Sequence, residues 1–185
     1  MLARLRPGIR GLALLILMIA SIAWAAGFNV LGASTRLDGE VYRLNAQIQY
    51  RFSGAVQEAL KNGVPLIIEL EMEVRRQRSW VWDETVYALV QRFRLEYHTL
   101  SRKYLVSNLN SGERRAFPTQ ESALQFMGQM TDFPFLDKGL LTSNEQYQGA
   151  LRAQLDIDAL PPPLRLFAYI SNDWRLASEW RTWRL

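Results

Sequence analysis

The chain of 185 residues carries 22 basic and 18 acidic side chains, one histidine and no cysteine. The absence of cysteine excludes a disulfide framework, a thiol nucleophile and every thiolate metal site. Three of the basic residues, Arg4, Arg6 and Arg10, lie in the first ten positions, so the net charge of +4 falls to +1 beyond them, without the clustered basic excess of a nucleic-acid-binding protein.

The first 25 residues read as an export signal. MLARLRPGIR is basic with no acidic residue, and GLALLILMIASIAWA follows as an uninterrupted apolar run. Ala23, Trp24 and Ala25 make the small-x-small pattern of a signal-peptidase site, which sets the expected mature start at Ala26. The alternative is an uncleaved anchor, because roughly 17 to 25 apolar residues span a bilayer, and residues 11–28 would then contact the inner membrane. Either route exports residues 26–185, since the three arginines hold the N-terminus inside. About 160 residues remain, enough for one domain that buries roughly 70 % of its unfolded surface without staples.

The strand pattern is clear. A hairpin signal, Asp38-Gly39, follows a short apolar segment. From Tyr42 to Phe52 the even positions read Tyr, Leu, Ala, Ile, Tyr and Phe, and the odd ones are polar. GAVQEALKNG predicts a short helix capped by Ser53, with Val56, Ala59 and Leu60 inward and Gly63 at its stop. Leu66, Ile68, Leu70, Met72 and Val74 then form an inward row, leaving Glu69, Glu71 and Glu73 outward. The next strand turns Leu89, Phe93, Leu95 and Tyr97 inward, and its antiparallel pairing is expected to set Arg92 and Arg94 beside the glutamates as an ion ladder rather than leave a metal site.

TQESALQFMGQM predicts a second short helix, capped by Thr119, with Ala123, Leu124, Met127 and Met130 inward. TDFPFLDKGLLTSNEQ holds too much Phe and Leu for an idle loop and is expected to pack across a sheet edge; a cofactor site is its sharper alternative. YQGALRAQLDID alternates again, with Tyr147, Leu151, Ala153, Leu155 and Ile157 on one face. In the tail SNDWRLASEWRTWRL, Trp174, Leu176 and Trp180 share one parity and Trp183 and Leu185 the other. A strand with a bulge near Ser178 and a helical stripe of Leu176, Trp180 and Trp183 both fit, and both make the tryptophans mainly core with arginines at the rim. Strands with one wet face belong to antiparallel sheets, so the expected fold is a mainly β, antiparallel β-sandwich-like domain with two short helices. A small outer-membrane barrel shares the alternation, but the helix patterns and Pro161 to Pro163 count against it.

The order EALKNGVPLIIELE, SWVWDE, RLEYHTLSRKYLVSNLNSGERRAFPTQESAL and DWRLASEW resembles the proteobacterial exported family known as domain of unknown function 4390 (DUF4390). The resemblance implies an exported location and, from the frequent proximity of a two-component sensor kinase gene, an envelope partner of that class. It brings no catalytic or binding residues.

No enzyme is expected. His98 is a lone histidine on an outward strand face, and no G-x-S-x-G nucleophile setting occurs. Asp83 and Glu84, the best carboxylate pair, are neighbours whose side chains diverge. No catalytic residue, metal or cofactor is nominated. The expected role is a non-enzymatic binding or signalling-accessory domain in the periplasm, with an envelope enzyme as the alternative. Its candidate partner-binding residues are Trp80, Trp82 and Asp83 in the SWVWDE turn, where the rings either project as recognition anchors or fold back onto the end of the sandwich.

Overall fold

A computed structural model describes residues 26–78 and 82–185. Residues 1–25, read above as an export signal, therefore lie outside the described residues, as do Ser79, Trp80 and Val81.

Two long strands, β1 (Gly27–Asp38) and β2 (Val41–Arg51), form the first hairpin. The pairing Asp38↔Val41 makes Gly39-Glu40 the two-residue loop, one position later than the Asp-Gly signal suggests. Gly39 sits at φ +61, where a side chain would be strained. β1 is a 12-residue strand rather than a short segment, and it claims the residues just after the leader: Phe28 and Val30 are buried. Phe28 thus belongs to the core, and a bilayer-facing run could reach no further than the residues before this strand.

Helix α1 (Gly54–Lys61) starts where Val56 N–H donates to Ser53 Oγ at 3.2 Å, and it buries Val56, Ala59 and Leu60 as expected. Strand β3 (Leu66–Arg76) shows the alternation at full strength: Leu66, Ile68, Leu70, Met72 and Val74 are completely buried. It pairs with β4 (Glu84–His98), which turns into β5 (Lys103–Asn108) and β6 (Arg114–Phe117). Helix α2 (Gln120–Gly128) is capped by Thr119 and buries Ala123 and Met127, with Leu124 half-buried and Met130 in the following strand. That strand, β7 (Gln129–Asp137), is the Phe-rich segment; it adds to β2 as an edge strand instead of crossing an edge. β8 (Tyr147–Leu155) buries Tyr147, Leu151, Ala153 and Leu155, while Ile157 lies beyond its end.

The strands assemble into two open antiparallel sheets, β1-β2-β7 and β6-β5-β4-β3-β8-β9, where β9 is Arg181–Arg184. Both contribute to one apolar core. Ring contacts Tyr87–Phe135 and Phe135–Trp183, at centroid separations of 6.0 and 6.2 Å, join them, and Trp183 Nε1–H donates to Thr35 Oγ1 at 3.1 Å. Open sheets around an apolar interior exclude the barrel reading. Among the described residues there is also a third helix, α3 (Pro162–Ile170), where two were expected. Its triple proline reads as a break, yet proline at the first helical positions is compatible with a helix start.

The charge ladder forms as expected at Arg92 but with different partners elsewhere. Glu69 faces Arg92 in register and accepts from its Nε at 2.6 Å. Arg94 lies opposite Ile67 and pairs with Glu96 at 3.8 Å instead. Glu71 is taken by Arg152 of β8 at 2.7 Å, and Glu73 by Arg75 of its own strand at 2.7 Å. Gln154 Nε2 bridges Glu69 and Glu71. β3 is central, so its outward row has a neighbour on each side.

The tail runs along β8 as a strand interrupted by a bulge near Ser178, as one of the two readings had it, and not as a helical stripe: Ala177 bridges Gln154, while Arg181 faces Leu151, one residue out of step with that register. Asn172–Trp174 form a 3-10 turn, an extended stretch follows, and β9 pairs with β8. Trp174 and Leu176 are buried and Trp183 packs on the core, but Trp180 crosses to the outer face. There the guanidiniums of Arg75 and Arg152 stack over its ring at 4.7 and 4.9 Å, so Trp180 closes the ladder rather than the core.

Candidate functional site at the distal end

The register gives the molecule two chemically different ends. The starts of β1 and β3 and the ends of β2, β4 and β8 lie together at the end where residue 26 enters. The opposite, distal end collects the Gly39-Glu40 loop, the β3–β4 turn, the approach to β8 and the C-terminus.

At the distal end backbone bonds prolong the ladders within each of the two sheets. Lys138 N–H donates to Glu40 O at 2.8 Å, Gln77 N–H to Gln146 O at 2.9 Å and Leu185 N–H to Tyr147 O at 3.2 Å. These bonds frame a cavity of about 530 Å³ lined by Glu40, Tyr42, Gln77, Lys138, Asn144, Glu145, Tyr147 and Arg184, among others. A second hollow of about 490 Å³ shares Gln77, Asn144, Glu145 and Gln146 with it and reaches Arg78 and Asp83. The two form one polar trough beside Gln77, Arg78 and Asp83 of the β3–β4 connection. Thr142 N–H donates to Tyr147 Oη at 3.0 Å, and Asn144, at φ +69, turns the trough wall.

The base of the turn is held by charge. Arg76 and Arg78 both ion-pair with the Glu84 carboxylate. The hydrogen bond from Arg76 is the main reason the Glu84 carboxyl is held below the usual carboxylate range, and the same bond raises Arg76. A carboxylate held ionised by two guanidiniums is a poor proton donor near neutral pH. Glu84 is therefore a clamp for the hairpin, while Asp83 lines the second hollow.

Trp82 stands 94 % exposed beside this trough, so one ring of the two proposed anchors projects into solvent. Trp80 lies outside the described residues. Among the described residues, no group of three or more His, Asp or Glu side chains could hold a metal ion, because each glutamate of β3 is already spoken for. His98 is exposed, and the structure supplies a contact that the linear sequence did not announce: Nδ1 lies 2.9 Å from Ser101 Oγ. Ser101 N–H also reaches Nδ1 at 3.3 Å, and Ser101 Oγ reaches His98 O at 3.5 Å. The pair closes a β-turn, with no carboxylate hydrogen-bonded to the imidazole among the described residues, so the third member of a triad is missing.

No stretch of the sequence announces the trough. Its walls come from segments more than 100 residues apart in the chain, Glu40 and Arg184 for instance, and no local pattern marks them. Comparisons with curated proteins and with solved structures return no match. Residues 25–184 match the family model described as Domain of unknown function (DUF4390), nearly the whole described chain, and the protein belongs to that family.

Proposed function

We propose that this protein is an exported, non-enzymatic binding domain that acts as a signalling accessory in the cell envelope, meeting a protein partner through its distal end. The observation that carries the reading is the 94 % exposure of Trp82, next in the chain to Asp83, which lines the polar trough. An indole held in water gains up to several kcal/mol when a partner desolvates it, and such aromatics dominate protein interfaces. The trough supplies both signs of charge, Lys138 and Arg184 with Glu40 and Glu145, which suits recognition of a polypeptide better than of one small ion.

Export is supported by the basic and apolar halves of the leader and the Ala23-Trp24-Ala25 pattern. The partner class is an inner-membrane sensor kinase, implied by family association. A photocrosslinking side chain placed at position 82 in living cells tests the site. One discrete envelope protein should be captured from position 82 and not from Arg115 on the β6 edge. Equal capture from both positions, or none from 82, defeats the proposal. Intact-mass analysis of the exported form separates cleavage before Ala26 from retention of Met1.

A further inference from the structure

Helix α3 is inverted relative to a water-facing amphipathic helix. It turns its small residue, Ala168, into the core together with Leu164, and leaves Leu166, Phe167 and Ile170 exposed at 71, 65 and 81 %. Positions 166, 167 and 170 fall on one helix face, so these side chains form a continuous apolar ridge. At its margins Tyr169 Oη is hydrogen-bonded to Asp158, and Arg175 donates to Tyr169 O at 2.7 Å. An apolar ridge with an aromatic and an arginine at its border has the make-up of an interfacial helix.

The location says what covers it. Gly27 pairs with Arg51, and two residues later Ser53 Oγ donates to Asp173 O at 2.7 Å. Asp173 belongs to the 3-10 turn that follows α3 and packs on it. The apolar stretch of residues 11–25 therefore joins the folded domain at the end that displays the ridge. Leu100, 93 % exposed in the β4–β5 turn, lies at this end as well. Trp82 and Leu140, the other large apolar side chains more than 60 % exposed among the described residues, belong to the distal end.

We infer that α3 lies in the surface of a phospholipid bilayer, with Leu166, Phe167 and Ile170 among the upper acyl chains and Arg175 at headgroup level. The domain then stands on the membrane with its Trp82 end pointing away. This arrangement does not depend on the distal end having a partner.

The absence of cysteine permits a direct test on the full chain. Ile170→Cys and, separately, Trp82→Cys carry an environment-sensitive fluorophore, in vesicles of phosphatidylethanolamine and phosphatidylglycerol with brominated acyl chains. The label at 170 should be quenched by the bromolipid and shielded from aqueous iodide, and the label at 82 should show the reverse. Adding Leu166→Glu and Phe167→Glu, both at exposed positions, should abolish the bromolipid quenching at 170 while leaving the thermal melt unchanged. Iodide quenching at 170 equal to that at 82 overturns the inference. So does protection from both quenchers, which would mean that the ridge is covered by protein, either residues 11–25 or a second copy. Bromolipid quenching that survives the two glutamates overturns it too, because the leader alone would then account for the depth. A full chain that fails to float with the vesicles has the same consequence.

Discussion

Gly149→Ala tests the seam between the two sheets. Gly149 sits in β8 opposite Trp183, and the indole lies directly over it: a Cβ built there would come within 2.3 Å of Cε2 and 2.4 Å of Cζ2. Real Cβ atoms do not approach so closely, so the ring must move by an ångström or more. It cannot move freely, because its Nε1–H is bonded to Thr35 Oγ1 at 3.1 Å and its other side packs on Phe135. Overpacking of this kind costs about 1 to 3 kcal/mol, and loss of the indole hydrogen bond adds about 1 kcal/mol. Alanine in place of glycine in a strand returns about 0.5 to 1 kcal/mol of backbone entropy. The net expectation is a loss of about 2 kcal/mol, or roughly 4 to 8 °C in Tm for a chain of this size. Urea unfolding followed by tryptophan fluorescence measures it. In a Trp183→Leu background the obstacle is gone, and Gly149→Ala should become neutral or stabilising. An equal penalty in both backgrounds would refute the steric argument and place the cost in the backbone of β8.

Gly128→Ala should be worse than Gly149→Ala, at about 3 kcal/mol or more, because the new Cβ would lie 2.1 Å from the backbone oxygen of Ile48, which cannot rotate away; the same unfolding assay ranks the two. A double-mutant cycle should couple Glu69 to Arg92 by no more than about 0.5 kcal/mol at low salt, since the arginine is largely exposed, and should show no coupling of Glu69 to Arg94. Burial raises the Tyr50 phenol above its ordinary value of 10.0, so the unfolded chain loses this proton first and stability falls as pH rises beyond about 10, by up to about 1.4 kcal/mol per pH unit from this one group. Tyr50→Phe should make the alkaline loss shallower and leave neutral stability nearly unchanged, because the hydroxyl's bond to Met127 O is long at 3.4 Å. Trp82→Ala should alter unfolding by less than about 0.5 kcal/mol, as expected for a side chain that touches solvent on nearly all sides.

Much of the β framework is legible in the linear chain because a strand's side chains alternate whatever it pairs with. Leu66 to Val74 and Leu44 to Tyr50 declare their buried faces by period two alone, and Ser53 and Thr119 declare their helices through caps that act within three residues. Local geometry carries these features, so local sequence contains them. Partners across space are different. Arg92 and Arg94 have the same parity and the same charge, yet one register step past the end of the glutamate row sends Arg94 to Glu96, while Arg152, 81 positions from Glu71, takes the vacant place. The tail likewise holds three tryptophans of similar local pattern, and only the position of each along the sheet decides that Trp174 is buried, Trp183 seals the seam and Trp180 stacks against two guanidiniums on the outer face. Helix α3 escaped notice because its apolar residues face outward. What the sequence by itself determined is which positions lie on a buried face and where the caps and turns fall, since those depend on neighbours a few residues away. Only the tertiary structure decided the ion-pair partners, the distal trough and the displayed ridge of α3, because strand order sets the pairs, residues far apart in the chain wall the trough, and the packing of Ala168 against the core decides which face of α3 is left outside.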